Sequence, residues 1–225
     1  MPNKKLWIFG GSNCLPYGLT QPENGWDSLL SQKLEAKLFN LAQLGPDNLF
    51  IFASLLDNLN KIKKNDIIVI GWSHPSRKSF ISESKLSESF AKNCISYVAQ
   101  KKIFFRSKGN KAKDSLRKWF SMKPKQSGVE YFDRWFKDYY NIHEQKLNFT
   151  AYLHAVDKAL SNKHYLPFYF SKDSVEGVTK VPKLLCQTEF IAKHNVAISK
   201  NDGHLNAKGH KLWAETLYRS IRSLQ

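Results

Sequence analysis

Two stretches at opposite ends of the chain carry residue types that can do chemistry together. Near the C-terminus, Asn201-Asp202-Gly203-His204-Leu205-Asn206-Ala207-Lys208-Gly209-His210 places an acid two residues before a histidine, in a turn rich in Gly and Asn. Directly after it, Leu212, Trp213, Leu217 and Ile221 recur at the spacing of an amphipathic helix. A carboxylate and an imidazole displayed on a loop before a helix are two parts of a nucleophilic triad. The third part has a candidate at the other end, where Lys4-Lys5-Leu6-Trp7-Ile8-Phe9 reads as a short buried strand running into Gly10-Gly11-Ser12-Asn13-Cys14. Serine is a poor nucleophile unless a base takes its proton during attack. Histidine does this near neutral pH, and a carboxylate holds the imidazole in the right tautomer. Cys14 is a rival nucleophile, with an intrinsically more reactive thiol. A phosphate-cradling role for the glycine loop lacks the Lys-Ser/Thr that a P-loop supplies.

A serine on a Gly-rich turn after a first strand, with Asp-x-His-x-Asn before a last helix, resembles the SGNH (GDSL-type) hydrolase family. The resemblance implies Ser12 as nucleophile, in preference to Cys14, with His204 as general base and Asp202 as the group orienting His204. It also implies Gly45 as an oxyanion residue, through its backbone N–H. Glycine admits unusual backbone angles and close approach, so such an N–H can point at a developing negative charge. A helix-leading turn before Pro46-Asp47 explains Gly45 equally well on local grounds. The family's third block is Gly-x-Asn-Asp; here Gly71-Trp72-Ser73-His74 stands in its place. Ser73 therefore occupies the position of an oxyanion-binding Asn, with a shorter side chain and a single donor hydrogen. Loss of an oxyanion donor can cost on the order of 100-fold in rate. The oxyanion set implied is Ser12, Gly45 and Ser73, and Trp72, His74 and Arg77 are candidate substrate contacts. Arg77 suits an anionic substrate group. The family's commonest final block spaces the acid three residues before the histidine, where this chain has Asn201; Asp202 stands two before, as in some branches.

These residues need a scaffold that brings both ends together. Asp66-Ile67-Ile68-Val69-Ile70-Gly71 is the clearest strand, four β-branched residues in a row, as in a parallel strand covered on both faces. Lys37-Leu38-Phe39-Asn40-Leu41 and Tyr165 to Phe170 read as further strands, with Pro167 favouring an edge for the latter. Ile103-Phe104-Phe105 reads as a short strand or buried turn. Helical spacing is expected over 25–37, from Asp47 to Ile62, over 87–101, from His143 to Leu160 and from Val181 to Ile191. Strand and helix alternate, so the expected fold is a flavodoxin-like three-layer α/β/α domain with a mostly parallel sheet, spanning residues 1–225. The segment 79–181 is the least family-like, and its Tyr131, Phe132, Trp135 and Phe136 suit core packing, or else a lid on an acyl or sugar pocket.

At 225 residues, 42% hydrophobic and 13% aromatic, the chain can bury a core and is not of disordered composition. No apolar run approaches the roughly 18 residues of a membrane span, and the four apolar residues before Gly10 are too few for a signal peptide. Three cysteines, Cys14, Cys94 and Cys186, without metal-ligand spacing, fit a reducing compartment, so the expected location is the cytoplasm. The histidines are scattered, and neither a metal nor a cofactor is expected. The net charge is +16, and Lys101 to Lys125 holds ten Lys or Arg against one acid, Asp114. That segment is a candidate anion-binding patch (Lys101, Lys102, Arg106, Lys108, Arg117, Lys118) for nucleic acid or an acidic glycan; a solvated basic surface is the plainer reading. The function expected is hydrolysis of a short-chain or carbohydrate O-acyl ester through an acyl-enzyme. The alternatives are acyl transfer to an acceptor by the same residues, or an impaired SGNH-type module that binds an anionic partner.

Overall fold

Leu6–Phe9 and Ile67–Ile70 have no polar face to turn towards water, so both strands must be covered on two sides. In the computed structural model they are adjacent interior strands of a five-stranded sheet. The structure describes residues 4–74, 77–81, 94–98, 103–106, 141–172, 175, 185–200 and 202–224. The elements run β1 (Lys5–Gly10), α1 (Trp26–Lys33), β2 (Lys37–Asn40), α2 (Asn48–Asn58) and β3 (Ile67–Trp72), then β4 (Arg77–Ile81), β5 (Cys94–Val98) and β6 (Ile103–Arg106). They continue with α3 (Ile142–Ala159), β7 (His164–Tyr169), β8 (Leu185–Cys186), α4 (Gln187–His194), β9 (Ala197–Ser199), β10 (Asp202–Leu205) and α5 (Ala207–Arg222).

The main sheet has the order β2-β1-β3-β7-β8, and every pairing in it is parallel. This is the doubly wound flavodoxin-like order, whose ligand crevice lies beyond the strand ends between the first and third strands. Leu6, Ile8, Ile67 and Val69 face a core built with Trp26 and Leu30 of α1 and Trp213, Leu217 and Ile221 of α5. Trp7, Phe9, Ile68 and Ile70 face the opposite core, with Phe50, Ile51 and Leu55 of α2 and Phe149, Leu153 and Val156 of α3. Odd and even residues of each strand thus serve different layers, as the two-residue period requires. Side-chain caps fix three helix starts: Asp47 accepts from Phe50 N, Asn141 from His143 N, and Asn206 from Gly209 N. Among the described residues, no helix is long and apolar enough to cross a membrane.

Three expectations for the elements need correction. The helical reading of 87–101 fails at Cys94–Val98, which is the central strand of an antiparallel sheet with β4 and β6. Ile95, Ser96, Tyr97 and Val98 are mostly β-branched or aromatic types, which favour strand over helix. Leu185 and Cys186 form a strand, and the helix expected from Val181 starts only at Gln187. Pro167 lies in an interior strand, opposite Ile70. On the other flank the two-residue β8 pairs only with Phe168 and Tyr169, so β7 has no described strand beside Pro167 there. A missing N–H on that side takes nothing from the ladder.

Candidate active site

Gly10 pairs with Gly71 near the ends of β1 and β3, and Ser12 and Ser73 each follow two residues later, beyond the strand ends where the crevice of such a sheet lies. After Gly10 the chain makes a tight 3₁₀ turn, Ser12–Cys14, closed by Cys14 N–H to Gly11 O (2.9 Å). The turn fits because Gly10 and Gly71 lack side chains. A Cβ at Gly10 would collide with Cys14 Sγ and lie 2.9 Å from Gly71 O; one at Gly71 would meet Cys14 Sγ and lie 2.6 Å from Phe168 Cζ. Cys14 therefore tucks under the sheet end with no exposed surface, while Ser12 stays partly exposed. Burial pushes the Cys14 thiol far above its ordinary range, with the Asp27 charge adding to the rise. A buried neutral thiol is inert, which removes Cys14 as the rival nucleophile.

The turn is pinned from three sides. Asn13 O accepts from Trp26 Nε1 (3.1 Å) and from buried Gln187 Nε2 (3.3 Å). Asn40, the last residue of β2, spends its whole amide here. Its Nδ2 donates to Cys14 O (2.8 Å) and Asp27 Oδ2 (2.8 Å), and its Oδ1 accepts from Ala42 N (3.0 Å). Burial pushes the Asp27 carboxyl upward, against the opposing pull of the Asn40 hydrogen bond.

Asp202 and His204 come from β10, whose partner is β9. The register against β9 shifts between Asp202 and Leu205, and the Asp202 carboxylate meets the residue two positions on, the local contact an Asx turn makes. His204 Nδ1 lies 2.6 Å from Asp202 Oδ1, and the same oxygen accepts from His204 N (3.1 Å). His204 Nε2 lies 2.9 Å from Ser12 Oγ. An ionised carboxylate only accepts, so Nδ1 carries the imidazole proton and the Nε2 lone pair faces the Ser12 hydroxyl. Serine, imidazole and carboxylate are thus joined in one chain, with the side chains of His204 and Asp202 22% and 31% exposed.

The other expected residues lie as follows. The loop after β2 runs on beside β1 through Leu41 N–H to Ile8 O (2.8 Å) and Gln43 N–H to Gly10 O (3.1 Å). It leads to Gly45, whose φ of +74° is in the left-handed region that favours glycine. Ser73 is buried; its N–H donates to Asn48 Oδ1 (2.8 Å), and its Oγ makes no hydrogen bond to a described protein group. Trp72 is corrected from substrate contact to core: it has no exposed surface and packs edge-on against Phe149, 5.2 Å between centroids. His74 follows, partly exposed. Arg77 and Arg106 are described only as backbone in β4 and β6. Lys101, Lys102, Lys108, Arg117, Lys118 and the aromatic segment from Tyr131 to Phe136 lie outside the described residues.

Sequence reasoning missed Tyr17, Asn40, Asn48 and the role of His210. Tyr17 lays its ring on His204, 4.2 Å between centroids and tilted 32°. His210 is buried in α5; its Nδ1 accepts from Trp26 N (3.1 Å), so its proton sits on Nε2, which faces Tyr17 O at 3.4 Å. Burial pulls the His210 imidazole below its ordinary range and keeps it neutral.

No family model matches the chain, and no curated protein matches it. Solved structures that match include a member of the lipolytic G-D-S-L family from Veillonella parvula, at 12% identity and a TM-score of 0.40, covering 96% of this chain and 97% of that one. A lipase from a goat rumen metagenome matches at 14% identity and a TM-score of 0.46, covering 97% and 96%. A carbohydrate esterase matches at 11% identity and a TM-score of 0.47, covering 97% of this chain and 68% of that one. The chain's own sheet order and its two helical layers make it a three-layer α/β protein with a flavodoxin-like parallel sheet.

Proposed function

We propose that the chain is an SGNH-type serine esterase acting through an acyl-enzyme. The observation that supports this most is the unbroken chain from Asp202 Oδ1 through both nitrogens of His204 to Ser12 Oγ. In the reaction proposed, Ser12 Oγ attacks the ester carbonyl carbon as His204 Nε2 takes its proton, and Asp202 stabilises the imidazolium that forms. The carbonyl oxygen becomes an oxyanion, for which the N–H groups of Ser12 and Gly45 and the Ser73 hydroxyl are the proposed donors. The tetrahedral intermediate collapses, and His204 Nε2–H protonates the departing alkoxide to release the alcohol. Water then attacks acyl-Ser12 as Nε2 takes its proton; the second tetrahedral intermediate collapses with cleavage of the acyl–Oγ bond, Nε2–H gives the proton to Ser12 Oγ, and the carboxylic acid leaves. A short-chain or carbohydrate O-acyl ester is the substrate class proposed, and an acceptor alcohol in place of water would make the same residues an acyltransferase.

The test treats the pure protein with a fluorophosphonate probe and with p-nitrophenyl acetate, beside Ser12→Ala and His204→Ala. Labelling and turnover in the wild type that both variants lose are expected. A wild type that neither labels nor turns over, or a Ser12→Ala protein that still does, sinks the reading. Product analysis with and without added sugar or alcohol separates hydrolysis from transfer.

A further inference from the structure

We propose that Tyr17 is a positioning residue that holds the imidazole of His204 against Ser12 and Asp202. Its catalytic consequence rests on the reading of His204 as general base. Both hydrogen bonds of His204 are made by ring nitrogens, whose N–H and lone pair point along the ring plane, so such bonds resist sliding within that plane better than tilting out of it. The Tyr17 ring covers one face, at 4.2 Å between centroids and 32° between planes, and opposes that tilt.

Tyr17 is itself held where a mobile surface aromatic would not be. Pro16-Tyr17-Gly18-Leu19 is a β-turn with Leu19 N–H to Pro16 O (3.4 Å), and Gly18 at its third position has a φ of +77°. That places Tyr17 at the corner of a type II turn, which needs glycine next. The turn docks on the elements that carry the histidine. A Cβ at Gly18 would collide with Ile198 Cδ1 of β9, the partner strand of β10, and the Tyr17 carbonyl faces His210 Nε2 of α5. Yet Tyr17 remains 41% exposed, so burial of its ring does not account for a large aromatic at this corner. The contact with His204 does.

Tyr17→Phe keeps the ring face and removes the hydroxyl; Tyr17→Leu keeps apolar bulk and removes the ring. The leucine variant is expected to label with the fluorophosphonate about 10-fold more slowly and to lose kcat in proportion, because a base displaced by a fraction of an ångström loses its alignment. KM is expected to stay within about two-fold of wild type, and phenylalanine to stay within about two-fold in every respect. The downfield proton resonance of the His204–Asp202 bond reads the ring's fixity without turnover: sharp in the wild type and the phenylalanine variant, broadened in the leucine variant. If the leucine variant does not fold, Tyr17→Met gives the same contrast. A leucine variant that labels as fast as wild type with its bridging proton sharp overturns the inference, and so does equal loss in both variants, which would assign the effect to the hydroxyl. If the wild type is inert towards both reagents, the esterase reading fails, and the resonance alone decides whether Tyr17 holds the ring.

Discussion

Asn40 is the residue whose loss should tell most about how the nucleophile is held. Its amide makes three hydrogen bonds, two given by Nδ2 to Cys14 O and Asp27 Oδ2 and one received by Oδ1 from Ala42 N. It therefore ties the Ser12 turn to the loop that leads to Gly45. Asn40→Ala leaves two acceptors and one donor without that partner, and at about 1 kcal/mol each, less some rescue by water at this half-buried site, the loss is about 2–3 kcal/mol. For a chain of this size that lowers Tm by about 5–10 °C. Asn40→Asp is the sharper probe. It keeps the acceptor for Ala42 but removes both donors and sets a second carboxylate beside Asp27, which burial already pushes towards its protonated form. Its penalty should exceed that of alanine at pH 8 and shrink as the pH falls towards 5, because a proton shared between the two carboxyls restores a donor. Turnover of p-nitrophenyl acetate should fall about 10-fold or more in both variants, since the serine turn loses an anchor. Urea unfolding at pH 8 and pH 5 gives the stabilities. An alanine variant within 1 kcal/mol of wild type with unchanged turnover, or an aspartate variant insensitive to pH, would refute this account.

Five further outcomes follow from the same geometry. Gly45→Ala must hold alanine at a φ of +74°, which should cost about 1–2 kcal/mol by urea unfolding and lower kcat. Gly71→Ala drives a methyl into Cys14 and Phe168, an overpacking worth about 1–3 kcal/mol that calorimetry will show as a lowered Tm. Cys14→Ala should keep fluorophosphonate labelling and turnover, because the thiol is buried and neutral; abolished labelling would reinstate it as nucleophile. His210, held below its ordinary range by burial, is neutral when folded but takes a proton near pH 6.5 when unfolded, so stability present above that pH is lost as pH falls through the folded value. His210→Gln should flatten that acid limb in urea titrations from pH 7 to pH 5. Asp27 acts in the opposite sense: its raised folded value means stability full below about pH 3.9 and lost as pH rises through it.

The parts legible in the sequence were those that local pattern controls. Four consecutive β-branched residues named β3, the apolar run before Gly10 named β1, and Asp47 before a helical spacing named the start of α2, where it is the cap. Ser12, Asp202 and His204 could be singled out because glycine-rich turns and an acid near a histidine are visible one window at a time. What escaped were contacts between distant windows. Trp26 and His210 are 184 residues apart, Ser73 and Asn48 are 25 apart, and nothing in either segment says that the other will be its hydrogen-bond partner. Pro167 misled for the same reason: a proline's fitness for a strand depends on how far the neighbouring strand extends, which β7 itself does not encode. Trp72 reads as a site residue from its place after Gly71, but the two-residue period it shares with Ile68 and Ile70 sends it into the Phe149 layer.

β10 shifts register against β9 between Asp202 and Leu205. There a single oxygen of the Asp202 carboxylate meets both the ring and the backbone N–H of His204, a local contact that an acid two residues before a histidine can make. Just after β3, the backbone N–H of buried Ser73 is met by the carboxamide of Asn48 from α2. Ser73→Ala and Asn48→Ala divide the two contributions. If the Ser73 hydroxyl binds the oxyanion, Ser73→Ala should cut kcat by on the order of 100-fold with stability nearly unchanged. Asn48→Ala should instead cost about 1–3 kcal/mol of stability by leaving the buried Ser73 N–H without its acceptor. Equal kcat in Ser73→Ala and wild type would remove the hydroxyl from the oxyanion site and leave the backbone N–H groups of Ser12 and Gly45 to bind the charge alone.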